Sequence, residues 1–301
     1  MVSSPTVAYV ADQLRVHHLL VSVASWVRFA RHPVAVVDIG LTSEGRTRIE
    51  RLTDGRVIFL APVEIPPQKR SSQRTIAFEQ KTLLGGRVPG DPIVFLDTDI
   101  LVAYPSFLTN LAQVPPNTLW ASRSAWDADF TWTYTAESLP ELCRATNQPD
   151  LHLTDPIVNS GVWAMRAATA ARVVAEWHRG FRAAVDSPDL SHTLRPRTGI
   201  GDQEFLLPAC RACGVAWEPL HGSFNMQVHE RRMPWLPDLS GRPRGGHIGE
   251  PAEPIRAVHY GCEPDGTVRL EPEMIASETL RRWIAEEYAT CHDLATRRQG
   301  C

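Results

Sequence analysis

The chain has 301 residues, 43% hydrophobic and 22% charged, which suits one large or two small folded domains. Thirty-one Lys and Arg against 34 Asp and Glu leave a formal charge of -3, without the basic footprint of a nucleic-acid binder. No apolar run approaches the ~20 residues of a membrane span. The opening Met1-Val-Ser-Ser-Pro-Thr lacks the basic and apolar segments of a secretion signal, so a cytoplasmic location is expected.

The first strand is Val7-Ala-Tyr-Val-Ala, and Asp12 then opens a stretch with helical spacing through Leu19, Val23, Trp26 and Val27. Pro33-Val-Ala-Val-Val-Asp-Ile-Gly reads as a second strand, Thr42 to Leu52 as a polar surface helix, and Arg56-Val-Ile-Phe-Leu-Ala-Pro as a third strand. Arg74 to Leu84 is helical, and Pro92-Ile-Val-Phe-Leu-Asp is a fourth strand. Continuously apolar strands alternating with helices predict a mostly parallel, Rossmann-like α/β sheet with flanking helices. No G-x-G-x-x-G follows the first strand, so the dinucleotide-cofactor fingerprint is missing.

After Pro115-Pro116 the character changes, with a region rich in Trp, Asp and Thr. Ile157 to Met165 reads as a strand, Ala167 to about Ala184 as a helix, residues 187–201 as a loop, and Asp202-Gln-Glu as another helix start. Residues 237–254 are rich in glycine and proline and read as a long loop without a packed element. Val258-His-Tyr-Gly is a short strand, and Ser277 to Ala295 a C-terminal helix. The spacing Cys210-Arg-Ala-Cys213 fits zinc or redox chemistry, but an apolar helical face stopped by a glycine accounts for it more simply.

The sharpest signal is Ile93-Val-Phe-Leu-Asp97-Thr98-Asp99. If the strand stays extended through it, its period of two puts both carboxylates on one face, roughly 7 Å apart, ready to share a divalent cation. Ligands of open α/β sheets bind at this end of the strands. The residues alone also allow a helix-capping Asp beside a solvated one.

Together with other segments in fixed order, this motif resembles the retaining glycosyltransferases of the GT-A fold, especially family eight, which includes glycogenin and bacterial galactosyltransferases. Those segments are Tyr9-Val-Ala-Asp12, Lys81, Leu96-Asp-Thr-Asp99, Val158-Asn-Ser-Gly-Val162, Gly201-Asp-Gln-Glu204, Ser223-Phe-Asn225 and Val258-His-Tyr-Gly261. The resemblance spans roughly residues 7–262. It implies one GT-A domain with a nucleotide-sugar-binding half (1–115), an acceptor and catalytic half (116–262) with a small acceptor subdomain, and a C-terminal helical tail (263–301).

It further implies that Asp97, Asp99 and His259 bind Mn²⁺, with Mg²⁺ as the alternative, and that a UDP-sugar is the donor. Val10, Asp12, Lys81, Asp97, Thr98, Asn159, Ser160 and Gly161 would contact that donor. Asp202 would hold sugar hydroxyls, with the Gln203 amide beside the anomeric carbon. An amide is no base, which suits a front-face route where the leaving phosphate takes the acceptor proton; inversion would need a carboxylate base on the other face. The residues themselves also allow simpler roles: helix caps at Asp12 and Asp202, a surface lysine at 81, a turn asparagine at 159 and a backbone-bonded core histidine at 259.

The family usually follows its His-Tyr with Gly-x-x-Lys-Pro-Trp, whose lysine clamps diphosphate. Here the chain reads His259-Tyr-Gly-Cys-Glu-Pro, and Arg242, Arg244 and Arg256 are the candidate substitutes. Trp120, Trp126, Phe130, Trp132 and Tyr134, interleaved with Asp127 and Asp129, form a candidate platform for a carbohydrate or polyhydroxylated acceptor; core packing competes with that reading. Arg281, Arg282, Arg297 and Arg298 offer a peripheral contact with anionic membrane, though neighbouring acids favour a plain surface helix. The function expected is metal-dependent, retaining transfer of a hexose-type sugar. A sugar nucleotidyltransferase and a non-catalytic nucleotide-sugar or carbohydrate-binding protein are the alternatives.

Overall fold

The structure, a computed structural model, describes residues 4–65, 73–124, 136, 139–152, 155–186, 201–228, 235–237, 242–247, 249–261 and 277–297. The N-terminal region alternates as expected. Strand β1 (Thr6–Ala11) leads through a 3₁₀ turn (Gln13–Arg15) into α1 (Val16–Val27), followed by β2 (Val34–Asp38), α2 (Ser43–Leu52), β3 (Val57–Leu60), α3 (Gln73–Thr82) and β4 (Ile93–Leu96). Next come β5 (Ile100–Val102), α4 (Phe107–Leu111), β6 (Thr118–Arg123), α5 (Leu139–Thr146), β7 (Val158–Met165), α6 (Ala167–Asp186), α7 (Gln203–Ala212) and β8 (Ala216–Leu220). The remaining elements are a 3₁₀ turn (Gly222–Phe224), β9 (Met226–Gln227), β10 (Trp235–Pro237), β11 (Pro243–Gly245), β12 (Glu253–Pro254), β13 (Ala257–His259) and α8 (Glu278–Arg297).

Seven strands form the central sheet in the order β3-β2-β1-β4-β7-β6-β8. Strands β3, β2, β1 and β4 are mutually parallel; β7 runs antiparallel to both β4 and β6, and β6 pairs parallel with β8. The order reverses at β1, whose neighbours are β2 and β4, so a crevice opens beyond the carboxyl ends of β1 and β4. Asp12 and Asp97 stand at those two ends.

Period two divides the core between the sheet faces. Val7, Tyr9, Val34, Val36, Val94 and Leu96 belong to one buried cluster with α1 and α8. Ala8, Ala35, Val37, Ile93, Phe95 and Trp163 belong to the other, with α6 and α7. Because α8 buries Leu280, Ile284, Cys291 and Ala295 in the first cluster, it is part of the core rather than a solvated tail. Its apolar face is therefore spent on packing, while Arg282 pairs with Glu286 and Arg297 with Asp293 along its outer side.

The structure corrects two expectations. The described residues within 237–254 are not all loop: β10, β11 and β12 make a small antiparallel sheet, with Leu236 opposite Arg244 and Gly245 opposite Glu253. These strands are two or three residues long, so backbone pairing closes them without the apolar periodicity a sequence reading looks for. Second, the strand carrying the Asp97–Asp99 motif does not stay extended. It ends at Leu96, turns so that Ile100 N donates to Asp97 O (3.2 Å), and resumes as β5 in a separate sheet with β13 and β9.

Helices α3 and α6 approach closely just beyond the end of α3. A Cβ at Gly85 would lie 2.2 Å from the Ala170 carbonyl oxygen and 2.3 Å from Val174 Cγ2. The backbone oxygen cannot swing aside as a long side chain would. Gly85→Ala should therefore cost about 1–3 kcal/mol; an unchanged denaturant midpoint would contradict this packing.

Candidate active site

The turn after β4 delivers Asp97, Thr98 and Asp99 to the crevice. Asp97 N donates to the Gly161 carbonyl (2.8 Å), locking the start of the turn to β7. Beyond the turn, β5 pairs antiparallel with β13 so that His259 lies opposite Ile100, and Tyr260 N donates to Asp99 O (3.2 Å). Strand pairing thus sets His259 beside Asp99, with Nε2 3.3 Å from Oδ1. One ligand atom from each of Asp97, Asp99 and His259 lies within 4.8 Å of the others, the only such group of three among the described residues.

Gly161 makes room for this cluster. A Cβ there would come within 2.6 Å of His259 Cε1 and 2.9 Å of Nδ1, so the space left by the missing side chain is taken by the imidazole. Asn159 sits in the buried strand β7 rather than in a turn. Its Nδ2 donates to Gln227 Oε1 (3.0 Å), and its Oδ1 accepts from Asn225 Nδ2 (2.8 Å) and Gly161 N (2.9 Å). Gln227 in turn donates to the Arg123 carbonyl (3.3 Å). Gln227 carried no sequence signal, because nothing local in Met226-Gln227-Val228 points to a partner 68 positions away.

Lys81 is no surface lysine: it is 2% exposed. Its Nζ lies 3.0 Å from Asp97 Oδ1, 3.0 Å from Ser160 Oγ and 3.1 Å from Asp202 Oδ2, and 4.7 Å from the Phe95 ring centroid. One ammonium therefore joins β4, β7 and the start of α7. Two contacts steady this arrangement from behind. Trp177 Nε1 donates to the Asp202 carbonyl (2.8 Å), and buried Glu79 ties α3 to His178 and Arg182 of α6 (3.0 and 3.2 Å). Asp202 occupies the N-cap of α7 but makes no side-chain capping bond, since its carboxylate faces Lys81. Gln203 is the next residue, half-buried at the first position of the helix.

Asp12 does act as a cap. Its carboxylate accepts from Arg15 N (3.0 Å) and lies 3.4 Å from the Arg15 guanidinium, at the end of β1 just beyond half-buried Val10. Arg244 donates to the Ala252 carbonyl, and Arg256 bonds Ser223 and Glu253 while lying over the Phe224 ring (4.4 Å), so both are engaged within their own hairpin and turn. Trp120 donates to Glu218 (2.8 Å) and lines an open groove of about 440 Å³ with Asn110, Gln113 and Phe224. Trp126, Phe130, Trp132, Tyr134, Asp127 and Asp129 lie outside the described residues. Cys210 and Cys213 are free, and burial pushes both thiols upward, away from the thiolate that metal or redox chemistry needs.

The electrostatics match a cation site. Burial and the neighbouring Asp99 charge raise the Asp97 pKa, against the pull of Lys81. Burial would depress His259, but the Asp99 and Asp97 carboxylates outweigh it and hold the imidazole above its usual 6.5. Burial likewise opposes ionised Asp99, yet the His259 charge and hydrogen bond hold its carboxyl below the usual range. In Lys81, burial is overcome by Asp202 and Asp97, which raise the ammonium above 10.5. Three carboxylates thus face one fixed cation and one imidazole that attracts a proton. A divalent ion on Asp97, Asp99 and His259 fits this donor set, replacing that proton with metal charge.

The mostly parallel α/β sheet, with these carboxylates at its switch point, has the GT-A architecture of solved structures. The galactosyltransferase LgtC, solved with donor and acceptor sugar analogs, is similar over 95% of both chains at 17% identity, with a TM-score of 0.61. The bifunctional glycosyltransferase WbbM is similar over 99% of this chain and 52% of its own at 13% identity and a TM-score of 0.57. GlyE, a glycosyltransferase of Streptococcus pneumoniae TIGR4, is similar over 99% of this chain and 64% of its own at 14% identity and 0.52. No protein-family model matches the sequence, and no curated protein matches it. The GT-A glycosyltransferase fold is what these likenesses establish.

Lys81→Met strands buried Asp202 without its countercharge. Loss of about 3 kcal/mol of unfolding free energy is expected, and a stability within error of wild type would remove the bridging role. The Asp99–His259 attraction has its own pH signature. Because the folded His259 pKa is raised, its contribution is complete below about pH 6.5 and lost as pH rises through the raised value. The gap in melting temperature between metal-free wild type and His259→Gln should therefore shrink as pH rises from about 6.5 through the raised His259 value. A constant gap would count against it.

Proposed function

We propose that this chain is a metal-dependent glycosyltransferase moving a hexose-type sugar from a nucleoside diphosphate donor, UDP foremost, to a carbohydrate or polyhydroxylated acceptor with retention. The observation that carries this reading is the joining of two clusters by one buried side chain. Lys81 links the Asp97–Asp99–His259 cation site to Asp202, next to Gln203, within a GT-A fold.

Residues 1–115 supply the nucleotide side of the crevice, with Val10 and Asp12 at the end of β1 for base and ribose. Residues 116–262 supply the acceptor side. Asp97, Asp99 and His259 would hold Mn²⁺, or Mg²⁺, which supplies Lewis-acid neutralisation of the leaving diphosphate. Thr98, Ser160, Gly161 and one Asn159 N–H are the remaining groups assigned to the donor. Lys81 keeps the Asp202 carboxylate close to Asp97 and Ser160, where it would accept from sugar hydroxyls. The Asp202 carboxylate is engaged by Lys81, and the Gln203 amide is no base. This favours acceptor deprotonation by the departing phosphate, on the same face as the attack, so configuration is kept. Among the described residues, no helix is long and apolar enough to cross a membrane, and a cytoplasmic site of action accords with the donor chemistry.

The missing Lys-Pro-Trp and the engagement of Arg244 and Arg256 favour a second reading, a nucleotide-sugar-binding protein without turnover. Calorimetric titration with UDP, GDP and ADP, with and without Mn²⁺, separates the possibilities when run beside Asp99→Asn. UDP binding that requires Mn²⁺ and vanishes in the variant is expected. Nucleotide binding indifferent to metal would overturn the cation site, and Mn²⁺-dependent UDP binding without UDP-sugar turnover over an acceptor panel would establish the second reading.

A further inference from the structure

Tyr260, the residue after His259, is fully buried and connected on three sides. Its backbone N–H is bonded to the Asp99 carbonyl (3.2 Å). Its hydroxyl is hydrogen-bonded to His18 Nδ1 (3.0 Å), in the middle of α1, where His18 is itself fully buried. Its ring meets Tyr288 of α8 edge-on, with centroids 5.7 Å apart and planes at 87°. Tyr288 also contacts the His18 ring (6.4 Å). A second tie runs from α8 to the other ligand-bearing segment. Arg28 bonds Glu287 of α8 (2.6 Å) and the carbonyl of Val102 (3.2 Å), at the end of the strand that leaves Asp99.

Both strands that present the cation site are therefore braced by the same helix. Packing alone does not explain the chemistry used. A phenylalanine at 260 would fill the same space without the cost of burying a hydroxyl, and a leucine at 18 without that of burying an imidazole. What the hydroxyl–imidazole bond adds is direction: it fixes the rotation of Tyr260 and so the backbone that carries His259 and meets Asp99. Metal ligands tolerate little misplacement, and the groups that orient them contribute to affinity.

We infer that His18, Tyr260 and Tyr288 are positioning residues for the cation site, so that docking of the C-terminal helix and metal binding strengthen one another. This rests on the reading of Asp97, Asp99 and His259 as metal ligands. Linkage makes the effect reciprocal: whatever factor the docked helix adds to metal affinity, metal adds to docking.

The test is Mn²⁺ titration of the full chain by calorimetry, with melting temperatures measured in parallel and hydrogen exchange followed over residues 278–297. Tyr260→Phe and His18→Leu should each weaken Mn²⁺ binding about fivefold, the worth of one hydrogen bond. The double variant should lose no more than either single one, because both remove the same bond. His18→Asn, which returns an amide near the Nδ1 position, should recover most of the loss. Mn²⁺ should slow exchange in the C-terminal helix of wild type and do so less in Tyr288→Leu. Variants that melt earlier yet bind Mn²⁺ as wild type does would reduce the cluster to packing and overturn the inference, as would additive losses or helix exchange indifferent to Mn²⁺. If His18→Leu does not fold, Tyr260→Phe carries the comparison alone. A wild-type chain that binds no Mn²⁺ overturns the metal-site reading itself, and this inference with it; wild-type binding with unaffected variants overturns only the inference.

Discussion

One buried ammonium organises the crevice. Lys81 is withdrawn from water and lies among Asp97, Asp202 and Ser160, so its charge is compensated only if β4, β7 and the start of α7 all keep their places. A buried charge tolerates little slack, since losing either carboxylate leaves the other ion poorly matched in a weakly screened environment. The sheet and helices can be seen as the means of keeping these groups together: Phe95 and Trp163 stack beneath, Trp177 holds the Asp202 carbonyl, and Glu79 fastens α3 to α6.

A second constraint comes from the turn at Asp97–Asp99. Were the strand to continue, the two carboxylates would share a face but meet no third ligand. By turning, the chain starts β5 in another sheet, and antiparallel pairing with β13 brings in His259 from 160 positions beyond Asp99. The missing side chain of Gly161 then provides the space that the imidazole enters. The Asp97–Asp99–His259 cluster is thus a product of strand register: shifting β13 by one residue would turn His259 away and bring an apolar neighbour in its place.

The small sheet β10-β11-β12 is joined to the turn at Gly222–Phe224 by side-chain bonds. Here Arg244 and Arg256 serve the local architecture, and Glu250 accepts from Gly222 N and His247 N (both 2.8 Å) to join the hairpin to the turn. This anchors Asn225, which bonds Asn159, so the distant hairpin supports the amide network beneath the crevice. The C-terminal helix plays a comparable part within the same buried cluster.

Much of the fold was legible in local sequence. Long apolar strands and amphipathic helices bury their surfaces in only one way, and so the first four strands, α1, α6 and α8 fell where the spacing put them. The carboxylate pair was legible too, because acids at the end of a buried strand need a partner. The elements β5 and β10 to β12 were not, since two or three residues paired by backbone hydrogen bonds leave little periodic trace, nor were β6 (TLWASR) and β8 (AWEPL), whose polar residues and proline interrupt any apolar run. Nor could sequence decide the states of individual side chains. Lys81 and Asp202 look the same locally whether they face water or each other, and Gln227, Tyr260 and His18 acquire meaning only from partners far along the chain. Local sequence determined which segments are strands and helices and which residues carry chemistry; tertiary structure alone decided which of those residues meet, because burial and ion pairing depend on what arrives from the other side of the sheet.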